Sequence, residues 1–347
     1  MDAYANSFET REYTYVSNQI GVRTLTIKKT KNQLIERLKI ENFYFSEFSM
    51  VHEGDYSVAD ADWNYKDIPH LHYVHRLAEA APAYADDDKI ASIVVQKIPG
   101  FVIPLSVFIY ENTPTSQLYY TTSFFYVLII ESVYVALGPN RTQVTTTYSV
   151  GSSKLLQWTF PLLRWLIKRN YRDLMSSDIP MRERRGLLRK WGYGFKQIAP
   201  TYSYAKSVNI KPDNVILPVD PDLPNQTIEL NIDEVLPQEG EYFWGRDDAW
   251  GLRLIRSTDS LRIFSRMCHH EGASLDQQAC VNHQLRCPWH GRISLPIASF
   301  ALHHPDPQQV TNRLHDLVLS GNRLTVRLCK EAAASCEALN ADLVETV

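Results

Sequence analysis

Two short segments constrain this chain more than anything else in it. Cys268-His269-His270 and Cys287-Pro288-Trp289-His290 each offer a thiol and an imidazole, and sixteen residues separate His270 from Cys287. A Cys2His2 zinc site uses the same donors but usually takes paired cysteines followed by paired histidines. Here cysteine and histidine alternate within each pair. A [2Fe–2S] cluster in which two cysteines hold one iron and two histidines hold the other needs this mixed pairing, with two loops clamping it from opposite sides. Ligand order and spacing therefore favour the cluster over zinc, with Cys268, His270, Cys287 and His290 as ligands. Neutral imidazole donates less charge than thiolate, which raises the reduction potential to about −150 to +300 mV. Only His270 gives the C-x-H spacing, so His269 is read as an exposed loop residue.

The flanks carry a resemblance. Gly272 follows the first pair in HEGASL, and Pro288 and Gly291 lie in CPWHG. Both segments resemble the Rieske family. Respiratory and photosynthetic members carry an extra cysteine beside each ligand pair, joined as a disulfide. Here Cys280 has no counterpart at the second loop and position 289 is Trp, so the resemblance is to the oxygenase or ferredoxin type. Arg292 stands where many oxygenases have Trp.

The chain has 347 residues, room for two domains where one cluster module takes roughly 100 residues. A net charge of −3 gives no electrostatic case for nucleic acid. Cys280, Cys329 and Cys336 remain after the cluster is assigned. Their odd number and irregular spacing suggest a reducing, cytoplasmic setting rather than a disulfide framework. The N-terminus, MDAYANSFETREYTYV, has charges and no apolar core, so no signal peptide is read there. The most apolar run, Phe124 to Leu137, is too short to span a membrane, contains Glu131 and is rich in β-branched and aromatic residues. It predicts a buried strand.

Residues 90–150 read as several strands punctuated by Gly100, Pro114, Gly138, Pro139 and Asn140. Ser152 to Trp191 reads as a long helix, with Pro161 and Pro180 starting or kinking it. Asp67 to Ala81 is expected to be a helix with Pro69 in its first turn. This order predicts an α+β helix-grip domain over residues 1–205, with a curved sheet around the long helix. A Pro-rich connector follows at 206–240. An all-β cluster module is expected at 241–329, and 330–347 forms a tail. The basic run Arg182, Arg184, Arg185, Arg189 and Lys190 is read as a solvated face, with a ferredoxin-docking patch as the rarer use. The run LLQWTFPLLRWLI is read as core, with membrane-surface contact as the minority reading.

A second motif, DIPHLHYVH, places Asp67, His70 and His75 in the pattern D-x-x-H-x4-H. Rieske non-haem iron oxygenases carry this pattern in a helix-grip catalytic domain. The sequence is similar to their branch that includes 3-ketosteroid 9α-hydroxylase, in which an aromatic, here Tyr73, lies two residues before the second histidine. The resemblance implies that His70 and His75, with Asp178 of SSDIPMRERR, bind mononuclear Fe(II). It also implies that Asp67 bridges a ligand histidine of the iron and one of the cluster. A facial triad of two histidines and a carboxylate leaves positions open on Fe(II). On an ideal helix residues three apart share a face while residues five apart do not, so His72 stays as an alternative partner for His75. Asp178 could alternatively be only a helix N-cap.

The resemblance thus implies an oxidoreductase, an O2-dependent oxygenase that hydroxylates, demethylates or desaturates. No dinucleotide fingerprint is visible, so a ferredoxin or an NAD(P)H-dependent reductase is the expected electron source. Aromatic and β-branched density suggests a lipophilic substrate, in a pocket lined by Phe101, Phe108, Tyr120, Phe124 and Trp158. Family members place the Rieske module first and usually form trimers that pass electrons between subunits. Here the domain order is reversed, and the connector is long enough for a route within or between chains. The rival reading is a non-catalytic Rieske carrier fused to a hydrophobic-ligand-binding domain.

Overall fold

The computed structural model describes residues 31–75, 79–85, 89–98, 101–113, 115–123, 125–196, 213–219 and 227–329. The expectations for the N-terminus, for the tail with Cys336 and for Phe124 lie outside the described residues.

The first domain is one antiparallel sheet gripping a long helix. Its elements are β1 (Phe43–Gly54), α1 (Val58–Lys66), α2 (His70–Val74), β2 (Glu79–Ala85), β3 (Lys89–Ile98), β4 (Phe101–Thr113), β5 (Ser116–Ser123), β6 (Tyr126–Gly138) and β7 (Arg141–Ser153). A 3-10 turn (Lys154–Thr159) then leads into α3 (Phe160–Lys190). The strand order is β1-β7-β6-β5-β4-β3-β2, so hairpins build the sheet outward and the first strand returns to pair with the last. Pro139 and Asn140 turn the β6–β7 hairpin. Pro104 lies in β4 opposite Val95 of β3 but beyond the span that pairs with β5, so its missing N–H costs no bond on that side.

Alternation along β1 and β7 turns Phe48, Tyr148 and Val150 toward α3, where they pack with Tyr171 and Met175. These five residues are the inner layer of the grip. Pro161 sits in the first turn of α3, where its missing N–H is harmless. Pro180 lies inside the same helix and does not end it.

The structure departs from three expectations here. The helix expected from Asp67 to Ala81 is only His70–Val74, and the Ala-rich segment after it is strand β2, paired with β3. Pro82 cannot sit inside a continuing helix, and the edge of β3 offers a partner instead. The run Phe124–Leu137 forms β6, but Val133, Val135 and Leu137 at its far end are exposed. Trp158, expected to line a pocket, is 77% exposed on the outer surface.

The second module holds two four-stranded antiparallel sheets. One is β10 (Thr227–Asn231), β19 (Arg323–Leu328), β18 (His315–Ser320) and β17 (Gln308–Thr311). The other is β11 (Gly240–Trp244), β12 (Leu252–Ser257), β13 (Ser260–Ser265) and β16 (Ala298–Ala301). A short ladder of β14 (Leu285–Arg286) and β15 (Ile293–Ser294) carries the second cluster loop. Part of the expected connector is structured. Val215–Ile216 (β9) pairs with Gly194–Phe195 (β8), and β10 is an edge strand of the module, followed by α4 (Ile232–Val235).

The two modules share a core. Leu188 of α3 and Tyr193 just after it pack in one buried cluster with Trp250, Leu252, Ile263 and Leu317. The last turns of α3 therefore belong to both. This overturns the reading of a solvated face for Arg182, Arg184 and Arg185, while Lys190 is half exposed. Arg182 and Arg185 are buried, and Arg184 is nearly so. Arg184 donates to the Gly272 carbonyl, Arg185 pairs with Asp60 and Glu271, and Arg189 grips Asp60 through two nitrogens. Arg185 also lies between the rings of Trp63 and Phe195, at 4.0 and 3.8 Å. Arg184 and Arg185 fasten one module to the other.

Candidate metal centres

The cluster loops are two copies of one backbone device. After β13, the Gly272 N–H bonds to the Cys268 carbonyl, and after β14 the Gly291 N–H bonds to the Cys287 carbonyl. Both glycines have positive φ, +88° and +66°, which closes each loop tightly. A Cβ at Gly272 would stand 2.6 Å from Leu188 of α3, and one at Gly291 would stand 2.2 Å from the Tyr73 ring. Each loop is thus pressed against the first domain. Trp289 extends that contact by packing against Trp63 of α1.

The loops face their donors toward one another. Cys268 Sγ lies 2.9 Å from His270 Nδ1, and His270 Nε2 lies 2.7 Å from His290 Nδ1. All four residues are buried. A hydrogen bond from Cys287 and the neighbouring His270 favour the Cys268 thiolate, while burial and that nearby charge hold the Cys287 thiol up. Two thiols and two imidazoles in a closed pocket fit a mixed-ligand [2Fe–2S] cluster. His269 departs from its expected exposure. It is half-buried, its Nε2 is 3.3 Å from Ser265 Oγ, and burial lowers its pKa.

The second group assembles from distant positions. His70 opens α2 and is buried, while His75 follows the last turn of that helix with φ −96° and ψ 2°. A five-residue helix that ends between them removes the ideal-helix objection to the pair. Their rings meet edge to face at 5.2 Å. His72 is exposed and stacks edgewise on Tyr73, so the structure does not bring it to the site.

Asp178 comes from the middle of α3, which also removes the N-cap alternative. Its Oδ1 is 2.8 Å from His75 Nε2 and 3.4 Å from His70 Nε2. One donor atom from each of His70, His75 and Asp178 falls within 4.8 Å of the others. His70 Nε2 makes no hydrogen bond despite its burial, and Nδ1 of the same ring is held by the Asp67 carbonyl. That contact puts the proton on Nδ1 and leaves a lone pair on Nε2, the state of a metal-ligating histidine. Two imidazoles and one carboxylate are a donor set suited to a divalent ion such as Fe(II).

Burial alone would raise the Asp178 carboxyl. The adjacent His70 and His75 imidazoles, together with the Arg182 charge, outweigh it and hold the group well below the usual carboxylate range. Arg182, one turn further along α3, was not singled out for this role from sequence, although D-x-x-x-R is an i,i+4 helical pair. Its Nη2 is 3.7 Å from Asp178 Oδ2, its Nε donates to Asn64 Oδ1 and its Nη1 donates to His52 Nε2. His52 is thereby neutral. Its pKa is lowered to about 4 by burial and by Arg182, and its Nδ1 meets the Tyr171 hydroxyl at 2.5 Å.

Asp67 connects the two groups. It is the C-cap of α1, where its N–H bonds to carbonyls of the last turn. His290 Nε2 lies 2.5 Å from Asp67 Oδ2, and the Asp67 carbonyl holds His70. One buried residue thus touches a histidine of each centre, within one chain.

Residues 233–294 match the Rieske [2Fe-2S] domain. This span contains all four cysteine and histidine donors described above, and the C-terminal module is a Rieske domain. No curated protein matches the chain. Among solved structures it is similar to the Zhui aromatase/cyclase from Streptomyces sp. R1128, at 9% identity and a TM-score of 0.37, covering 41% of this chain and 96% of that one. It is also similar to a Thermus thermophilus protein, TTHA0849, at 14% and 0.35, covering 42% and 99%. A START superfamily protein from Mycobacterium smegmatis gives 13% and 0.33, covering 40% and 97%. The strand order and the long helix seated on the sheet, independently of these likenesses, make the N-terminal domain a helix-grip domain.

Proposed function

We propose that the chain is a Rieske-type oxygenase in which both metal centres and the path between them belong to one polypeptide. The observation that carries this reading is the continuous contact His290–Asp67–His70 beside the His70, His75 and Asp178 group. With the metals bound, the cluster would supply single electrons from an external ferredoxin or reductase, and a ferrous ion would supply oxygen activation beside a lipophilic substrate. The protein's own part is positional. Asp67 accepts from the His290 Nε2–H and fixes the His70 tautomer, so the two imidazoles are held through one side chain and one peptide group. Arg182 holds Asp178 ionised and aimed at both histidines. The hydrophobic packing around Met181, Trp289 and Cys287 keeps water from the path.

Iron analysis of anaerobically reconstituted protein tests this. The proposal expects about three irons per chain, falling to about two in Asp178→Ala with the cluster spectrum intact. About two irons in both proteins would favour the electron carrier instead.

A further inference from the structure

The N-terminal half of α3 is apolar on two faces. Its inner face, including Leu163, Ile167 and Tyr171, packs on the sheet. Its outer face continues from the 3-10 turn through Trp158, Leu162, Trp165 and Leu166, at helical spacing, and these side chains are 44–77% exposed. Leu155 extends the patch at 81% exposure. The β5–β6 turn is tied to the 3-10 turn through Tyr126, whose hydroxyl is hydrogen-bonded to Thr159 at 2.8 Å. A surface helix normally turns polar residues outward, and a contiguous exposed apolar patch marks an interaction surface.

The charge around this patch identifies the partner. From Ser152 to Arg172 the chain carries Lys154, Arg164, Lys168, Arg169 and Arg172, and no acidic residue. On the strand beneath, Glu47 is turned away from α3 and is engaged by Lys31 and Ser149. Asp173 is the next residue and is exposed, and among the described residues none of the five cations forms an ion pair. Two exposed tryptophans with leucines, flanked by these cations, match the boundary between acyl chains and anionic headgroups. A second copy of the chain fits less well, because a two-fold contact would set five cations against five. Among the described residues no helix is long and apolar enough to cross a membrane, so the contact is peripheral.

We infer that the patch formed by Leu155, Trp158, Leu162, Trp165 and Leu166 docks the protein on an anionic lipid surface. This stands whether or not the proposed oxygenase reading holds. Co-flotation of the full, cluster-loaded chain with phosphatidylcholine–phosphatidylserine vesicles tests it. The parent protein should float with these vesicles and not with phosphatidylcholine alone. Trp158→Ala/Trp165→Ala should weaken binding by at least roughly tenfold. Lys154→Gln and Arg172→Gln should each weaken it about fivefold. An unchanged cluster absorption spectrum verifies that each variant is folded. Absence of flotation on the anionic vesicles, or equal flotation of the double tryptophan variant, overturns the proposal. Self-association without lipid that the double variant abolishes, with no flotation, also overturns it, in favour of a chain–chain contact.

Discussion

His270 and His290 are 20 positions apart, whereas His75 and Asp178 are 103 apart. The Rieske loops are closed by their own backbone, each with a glycine at positive φ bonding back to its cysteine. The second group has no such local template. It exists only because α3 lies across the end of α1 and α2, and because Arg182 fixes Asp178 from behind. The first centre is set by local chain geometry and the second by docking. Damage to the docking should therefore empty the second centre before it touches the first.

The largest effect should come from Cys287→Ser, which removes a thiolate that alcohol does not replace at neutral pH. The visible absorption of the cluster should be lost, and the donor pair His70 and His75 should still bind a divalent ion by titration. Loss of both centres would show that the second depends on the first.

Arg182→Gln tests the reverse direction. It leaves Asp178 and His52 buried without their cation, which should cost about 3 kcal/mol in denaturant unfolding. The cluster spectrum should survive while metal affinity at the second group falls. Equal loss of both centres would mean that docking supports the Rieske loops as well.

Gly291→Ala strains the contact between the centres. The residue must adopt φ +66° and its Cβ would meet Tyr73. A destabilisation of about 2 kcal/mol is expected. Adding Tyr73→Ala should restore the part that is collision and leave the part that is backbone strain. No restoration would show that Tyr73 is not what presses on the loop.

Acid should act on stability through His52 and His315. His52 and His315 both titrate near 4 in the folded protein, lowered chiefly by burial, against about 6.5 when unfolded. Between these values the unfolded chain takes up protons that the folded chain does not. Stability should thus be full above pH 6.5 and fall as the pH drops toward 4. The loss is on the order of 1–2 kcal/mol per histidine at pH 5. His52→Gln should flatten part of this slope, and an unchanged slope would remove His52 from the account.

The Rieske centre was legible because its spacing is short and its donors few. The histidine pair of the second group was visible as a motif, but its geometry was not, since the ending of α2 between His70 and His75 decides it. α3 was read with its two halves inverted. The apolar run LLQWTFPLLRWLI looked like core, yet half of it faces solvent, and the basic run from Arg182 looked solvated, yet Arg184 and Arg185 are turned against the Rieske module. Amphipathic pattern reports which residues share a face, not which partner that face meets. Strand β1 and the arginine network were not anticipated, because their partners lie 63 to 130 residues away.

The central claim is that Asp67 joins the two centres inside a single chain. Stopped-flow reoxidation of the reduced cluster by oxygen with substrate present, measured over a wide range of protein concentration, tests it most directly. The rate should be independent of concentration and should fall by roughly a hundredfold in Asp67→Ala, with the cluster spectrum unchanged. A rate that rises with protein concentration, or one untouched by Asp67→Ala, would contradict the claim.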